Sequence, residues 1–216
     1  MKWTTPNTAG NYNLTVIVDD GKGGTATKTE TVEVLPFLEV EVTISADTGL
    51  SGWIEGNDVT DAWAWPEADY VFVGDTSSDA YIKGYLTFDI RNLSDLGVIN
   101  IKEVEIRIPG VTSLNKPWEA GSQMNIKVFD YGSSLDPGDF RLGGNTVKVF
   151  NTSSSLSNLT FSTLELKNEL KSYVSSGRAL FQLKFGLNGK SSNGITDLYR
   201  VHESNASLYV KYETAD

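Results

Sequence analysis

The chain contains no cysteine. That excludes a disulfide framework and all thiol chemistry, but not secretion, because a core of this size needs no covalent staples. Histidine occurs once, at His202. A Ser-His-acid triad would have to use that ring, and a zinc site of the His/Cys kind has almost nothing to draw on. His202 lies in an alternating, strand-like stretch with no motif around it. Basic residues are also scarce: 18 Lys and Arg stand against 28 Asp and Glu, a net charge of −10. That balance excludes nucleic acid and anionic membranes as expected partners, since both select basic patches. No apolar run approaches the roughly 20 residues of a membrane-crossing helix, so no membrane insertion is expected. Carboxylates are plentiful, yet nothing in their spacing marks an acid and a nucleophile for glycosidase-type work. The expectation is a protein that is not an enzyme.

What is present is β chemistry: many Thr, Ser, Asn and Gly residues in 216, enough for one large or two small domains. Tyr70 to Ile90, YVFVGDTSSDAYIKGYLTFDI, organises the rest. Tyr70–Val73 is a short apolar run, Gly74–Asp79 is turn chemistry, and Tyr81–Ile90 alternates. The alternation sends Leu86, Phe88 and Ile90 into a core and turns Tyr85, Thr87 and Asp89 the other way. The run VGD…YIKGYLTFDI resembles the early strand pair of secreted jelly-roll modules of the disaggregatase-related, DNRLRE type, with Lys83 where that family usually carries Arg. A second stretch supports the likeness: helix, Gly, strand, loop, LYRVHES, loop, LYVKY. Arg200 and Glu203 stand at its basic-x-x-Glu positions. The resemblance spans about residues 38–214 in pattern. It implies a carbohydrate-binding-module-like sandwich attached to carbohydrate or to the cell envelope.

Tyr12–Val18 and Thr25–Val34 read as a hairpin around Asp19–Gly24. WTTPNTAGNYNLTVIVDDGKGGTATKTETVEV resembles the last two strands of a PKD-type or similar immunoglobulin-like repeat. The expected division is therefore 1–36, the C-terminal part of such a repeat, and 37–216, the jelly-roll sandwich. Pro36 ends the second strand and marks the boundary. An isolated hairpin is marginal in water, so this piece must pack on its neighbour, pair with another chain, or be a remnant. Met1-Lys2-Trp3-Thr4 shows no leader and opens inside a strand pattern, the expectation for a piece of a longer chain.

Further strands are expected at Leu38–Ser45, Ile101–Ile108, Met124–Tyr131, Thr146–Phe150, Leu180–Leu187, Leu198–Glu203 and Ser207–Tyr212. The core is expected to comprise Leu86, Phe88, Val104, Ile106, Ile126, Val128, Leu183 and Phe185. One helix is expected, Ser162–Gly177, opened by a Ser162–Glu165 capping box and stopped by Gly177. The fold class is all-β: a β-sandwich of jelly-roll type with one short helix, plus an N-terminal hairpin from an immunoglobulin-like repeat.

Residues 46–69 read as a long irregular segment holding Trp53, Trp63 and Trp65 among Asp and Glu residues. Such loops are functional or disordered, and Trp favours order. With Trp118, these rings form a candidate sugar-stacking platform; the alternative is that they cover the open edge of the core. Asp47, Asp58, Asp61, Asp69, Asp75 and Asp79 are candidate ligands for Ca²⁺, a hard cation that takes carboxylate and carbonyl oxygens in Gly- and Ser-containing loops; the alternative is a set of solvated turn acids. Asn13, Asn92, Asn151, Asn158 and Asn205 open Asn-x-Ser/Thr sequences, which in a glycoprotein would be acceptors. The reading is a non-catalytic accessory module of an extracellular or cell-surface protein. Its partners would be a polysaccharide or cell-envelope glycan and the neighbouring domains of a larger polypeptide. Two alternatives stay open: a Ca²⁺-stabilised structural domain of a larger secreted enzyme such as a protease, and an adhesion or surface-layer component that binds protein.

Overall fold

A computed structural model describes residues 6, 8–95, 98–141, 143–152 and 154–215, so the Met1–Thr4 opening lies outside the described residues. In chain order the strands are β1 (Gly10–Asp19), β2 (Thr25–Val34), β3 (Phe37–Ser45), β4 (Gly52–Gly56), β5 (Trp63–Pro66), β6 (Tyr70–Asp75), β7 (Tyr81–Asp89), β8 (Val98–Pro109), β9 (Thr112–Leu114), β10 (Gln123–Val128), β11 (Asn145–Asn151), β12 (Asn158–Phe161), β13 (Leu180–Leu187), β14 (Asp197–His202) and β15 (Ser207–Ala215). The helices are α1 (Arg91–Asp95), α2 (Pro117–Ala120) and α3 (Leu164–Ser175).

β1 and β2 pair with each other, from Gly10 opposite Val34 to Asp19 opposite Thr25, as their own two-stranded sheet. Val16, Ile17 and Val18 on β1 remain exposed. The other strands form two sheets. One runs β12-β8-β15-β3; the other runs β11-β10-β13-β7-β6-β14-β9, with β4 added to β7 and β5 to β4. Apolar residues from both sheets meet in one buried cluster, which makes the protein an all-β sandwich. Leu86, Phe88, Val104, Ile106, Ile126, Val128, Leu183 and Phe185 all lie in that cluster, as the alternation predicts. Cross-strand register explains why: Phe181 stands opposite Phe88, Leu183 opposite Leu86, and Phe185 opposite Ile126, so side chains on one face stack across neighbouring strands.

Several expectations are corrected. The irregular 46–69 segment contains the β4–β5 hairpin, because Trp53 and Ile54 find cross-strand partners in Trp65 and Ala64. Tyr85 and Thr87 do turn away from the main core, as the alternation predicts, but both are fully buried, since β7 is covered on its second face as well. There Ile54, Tyr85, Tyr131, Leu135 and Phe140 form a separate apolar cluster, and the Thr87 hydroxyl is bonded to the Tyr131 hydroxyl at 2.5 Å. Three helices are described, not one. α3 begins one residue later than the capping box implies. Its cap is Thr163, whose hydroxyl accepts from the Leu166 N–H at 3.1 Å and donates to the Val147 carbonyl at 2.9 Å. That second bond is tertiary, which is why local pattern pointed to Ser162. Gly177 does end the helix in the left-handed region, at φ 68°.

Candidate functional site

The β4–β5 hairpin gathers three of the four candidate rings. Trp53 and Trp65 are cross-strand partners, stacked with centroids 5.1 Å apart and planes 15° from parallel. Trp63 stands two residues before Trp65, on the same side of an extended strand, and is 72% exposed against 50% for Trp65. Trp118 lies apart on α2, half-buried, with no ring contact among the described residues. The aromatic row continues from Trp53 to Phe72, edge-on at 5.5 Å, then Tyr70 at 6.1 Å and His202 at 4.9 Å. The Arg200 guanidinium lies 4.9 Å over Tyr70. Tyr70 and Phe72 are available because their neighbours Val71 and Val73 take the core side of β6. His202 is thus part of an aromatic row, and its Nδ1 shares a 2.9 Å hydrogen bond with the Ser204 hydroxyl.

A second concavity was not anticipated. On β7, β13 and β10 the residues between core positions turn outward: Lys83, Lys184 and Lys127. Lys127 stands directly opposite Lys184, which stands opposite Tyr85. With Asn125, Arg141, Thr146 and Asn188 they line a groove of about 650 Å³, bounded by Phe140 and Tyr81 and by Asn57–Val59. Its lining holds four basic side chains and one acidic one, Asp58, in a chain whose net charge is −10.

The lysines also hold the groove's wall. Lys83 Nζ donates to the Phe140 carbonyl at 2.9 Å and lies 3.6 Å from its ring centroid. Lys184 Nζ donates to the Asp139 carbonyl at 2.7 Å and to the Arg141 carbonyl, with the Phe129 ring 4.3 Å away. Burial, reinforced by the Lys83 charge, pulls Lys184 down to about 7; burial and Lys127 pull Lys83 down to about 8. Burial pushes the Tyr85 phenol well above its ordinary value. The Lys127 side chain, half-buried, makes no hydrogen bond or ion pair with a described residue. It is the lysine whose head is available to a ligand.

The six aspartates do not share one place. Asp58 and Asp61 sit in the β4–β5 turn, where Asp61 Oδ1 accepts from the Asn57 and Asp58 amides at 2.9 and 2.7 Å. Those bonds lower its carboxyl below the ordinary range. Asp75 is fully buried at the end of β6; its Oδ2 accepts from the Ser191 amide and hydroxyl at 2.7 and 2.8 Å. Asp79 follows in the same turn at φ 61°. Oδ1 of Asp75 and Oδ1 of Asp79 are buried without a partner. Asp47 and Asp69 lie elsewhere, beside the turn that follows β14. Among the described residues no three Asp, Glu or His side chains stand at metal-ligand spacing.

No family model matches the chain, and no curated protein does. A solved structure of CBM51-2 in complex with GlcNAc and INT domains, from Clostridium perfringens ZmpB, aligns over 98% of this chain at 12% identity with a TM-score of 0.21. This chain spans 39% of that one's length. A likeness at that level carries no argument about function.

The lysine groove escaped sequence reading because each lysine is a routine outward residue on its own strand. Only the β7-β13-β10 register assembles them, and those strands are up to about a hundred residues apart in the chain. The usable signal was a single Lys flanked by inward apolar residues in IKV and LKF.

Proposed function

We propose that this chain is a non-catalytic accessory module of an extracellular or cell-surface protein, and that it binds an acidic polysaccharide or cell-envelope glycan in the Lys83–Lys127–Lys184 groove. The observation that carries the reading is the charge inversion: Lys83, Lys127, Arg141 and Lys184 line one groove on a strongly acidic chain. A neutral glycan would need no such concentration of charge, whereas a carboxylated or sulfated one gains from it. Asn125, Thr146 and Asn188 supply hydroxyl-bonding groups beside the cations, and the Tyr81 and Phe140 rings supply apolar wall. The hairpin β1–β2 is, on this reading, the tail of an immunoglobulin-like repeat in a larger polypeptide.

A second reading rests on Trp63 and Trp65. Two exposed indoles on one strand, one of them braced by Trp53, form a stacking face suited to a neutral sugar ring. The two readings separate in one experiment: calorimetric titration with polygalacturonate and, in parallel, with a neutral galactan, at low and high salt. The groove reading expects binding of the polyuronate alone, weakened by salt and reduced about fivefold by Lys127→Ala, the loss of about 1 kcal/mol for one partly screened ion pair. Binding of the galactan that Trp63→Ala abolishes would transfer the assignment to the hairpin. An unchanged affinity in Lys127→Ala would overturn the groove.

A further inference from the structure

The tryptophan hairpin carries a charge pattern that ring stacking does not explain. Residues 29–82 contain no Lys or Arg. Within that stretch β4, β5 and their connections hold Glu55, Asp58, Asp61, Glu67 and Asp69. Cross-strand register divides the hairpin into two faces. Ile54 stands opposite Ala64 on β5 and opposite Lys83 on β7, so this face turns to the second apolar cluster and the lysine groove. Trp53 opposite Trp65, and Glu55 opposite Trp63, share the reverse face. Directly opposed residues have Cβ atoms about 5 Å apart, so Glu55 stands beside the exposed Trp63 indole. The Glu55 carboxylate, half-buried, makes no hydrogen bond or ion pair with a described residue. Two cations of the chain are occupied elsewhere. Arg200 lies over Tyr70 at the far end of the aromatic row, and Lys190 Nζ donates to Asn57 Oδ1 at 3.0 Å and to the Asp79 carbonyl at 2.6 Å.

An indole face attracts a cation through its quadrupole, and a carboxylate without a partner attracts the same charge. On this face the two stand side by side. We propose that it binds a cationic amino-sugar chain, one whose 2-amino groups are unacetylated, with sugar rings stacked on Trp63 and Trp65 and an ammonium group paired with Glu55. The proposal rests on the reading of those indoles as a stacking face and adds the charge of the ligand. Shape selects a sugar ring over a bare ammonium head. Trp53 and Trp65 stack on each other with planes 15° from parallel, so what they leave open is a flat surface rather than a cage. Trp63 and Trp65 stand two strand residues apart, about 7 Å, which gives two stacking positions along one chain. A peptide strand suits the hairpin poorly: β5 is four residues long and ends in Pro66, which has no N–H to offer along an open edge. A neutral sugar leaves the Glu55 charge unanswered, and an acidic one is repelled by it. The lysine groove lies on the other face of the hairpin, so the two sites take ligands of opposite charge.

The test is calorimetric titration of the full chain with a glucosamine hexamer and, in parallel, with an N-acetylglucosamine hexamer and with choline, at a mildly acidic pH that keeps free amines protonated. The glucosamine hexamer should bind about five- to tenfold more tightly than its N-acetylated counterpart, the combined effect of one partly solvated cation–π contact and one partly screened ion pair. High salt should shrink that preference. Glu55→Gln keeps the shape and removes the charge, and should reduce the preference about fivefold. Trp63→Ala, at an exposed position that does not threaten folding, should weaken binding of the glucosamine hexamer at least tenfold. Equal affinity for the two hexamers, or a preference that Glu55→Gln leaves unchanged, overturns the inference and leaves the stacking face standing. No binding of either hexamer removes both. Choline bound as tightly as the glucosamine hexamer would mark a site for ammonium alone and overturn the sugar assignment. Binding of the glucosamine hexamer that Trp63→Ala does not weaken would lie elsewhere on the molecule and overturn it too.

Discussion

Removing the charge of Glu203 should change how stability depends on pH. Burial, Asp69 and Asp47 raise this carboxyl from 4.5 to about 7 in the folded chain. Between those values the folded state holds a proton that the unfolded state has released. Stability therefore falls as pH rises through that window, is fully present below 4.5, and levels off above the folded value. The shift is about 7 minus 4.5, or 2.5 units, and at 1.36 kcal/mol per unit it amounts to about 3 kcal/mol at most. Glu203→Gln cannot titrate and should lack this slope. Urea unfolding at pH 5, 6, 7 and 8 with chelator present measures it. Between pH 5 and 8 the parent should lose about 2.5 kcal/mol more than Glu203→Gln, with equal m-values. Parallel profiles for the two proteins in chelator would refute the account of this carboxyl.

Phe88→Ala removes a ring that is completely buried between Phe181 and the second sheet; a loss of about 3–5 kcal/mol is expected in urea unfolding, and an unmoved midpoint would show the face assignment wrong. Trp63→Ala should be nearly neutral, within about 0.5 kcal/mol, because the ring is 72% exposed and touches no other ring among the described residues. Trp65→Ala breaks the stack on Trp53 and should cost about 1 kcal/mol, with loss of the coupled-indole signal in near-ultraviolet circular dichroism. A loss of several kcal/mol in Trp63→Ala would instead make these rings part of the core.

The sandwich was legible because it rests on period. Alternation in Leu86–Phe88, Val104–Ile106, Ile126–Val128 and Leu183–Phe185 is a local property, and burial follows it faithfully. Alternation could not say that β7 has two covered faces. Tyr85 and Thr87 are polar enough to read as outward, and their cover, Tyr131, Leu135 and Phe140, comes from a loop some fifty residues on. The β4–β5 hairpin was hidden for a related reason: GWIEG and WAWP are short, and each becomes a strand only against its partner. Of the candidate residues, Trp53, Trp63 and Trp65 converge on that hairpin, while Trp118 does not. The six aspartates divide among three places.

By itself, then, the amino-acid order determined the class of protein: all-β, without thiol or multi-histidine chemistry, acidic, with a core readable position by position. Those properties depend on composition and on neighbours two residues apart, which survive any arrangement of the strands. The tertiary structure alone decided where charge is concentrated. Lys83, Lys127 and Lys184 become one groove through antiparallel register between strands distant in the chain. Glu203 is buried in a turn that two backbone hydrogen bonds pin to Asp69 and Ala46, residues far from it in the chain. Electrostatic energy depends on distance in space, and separation along the chain does not report it.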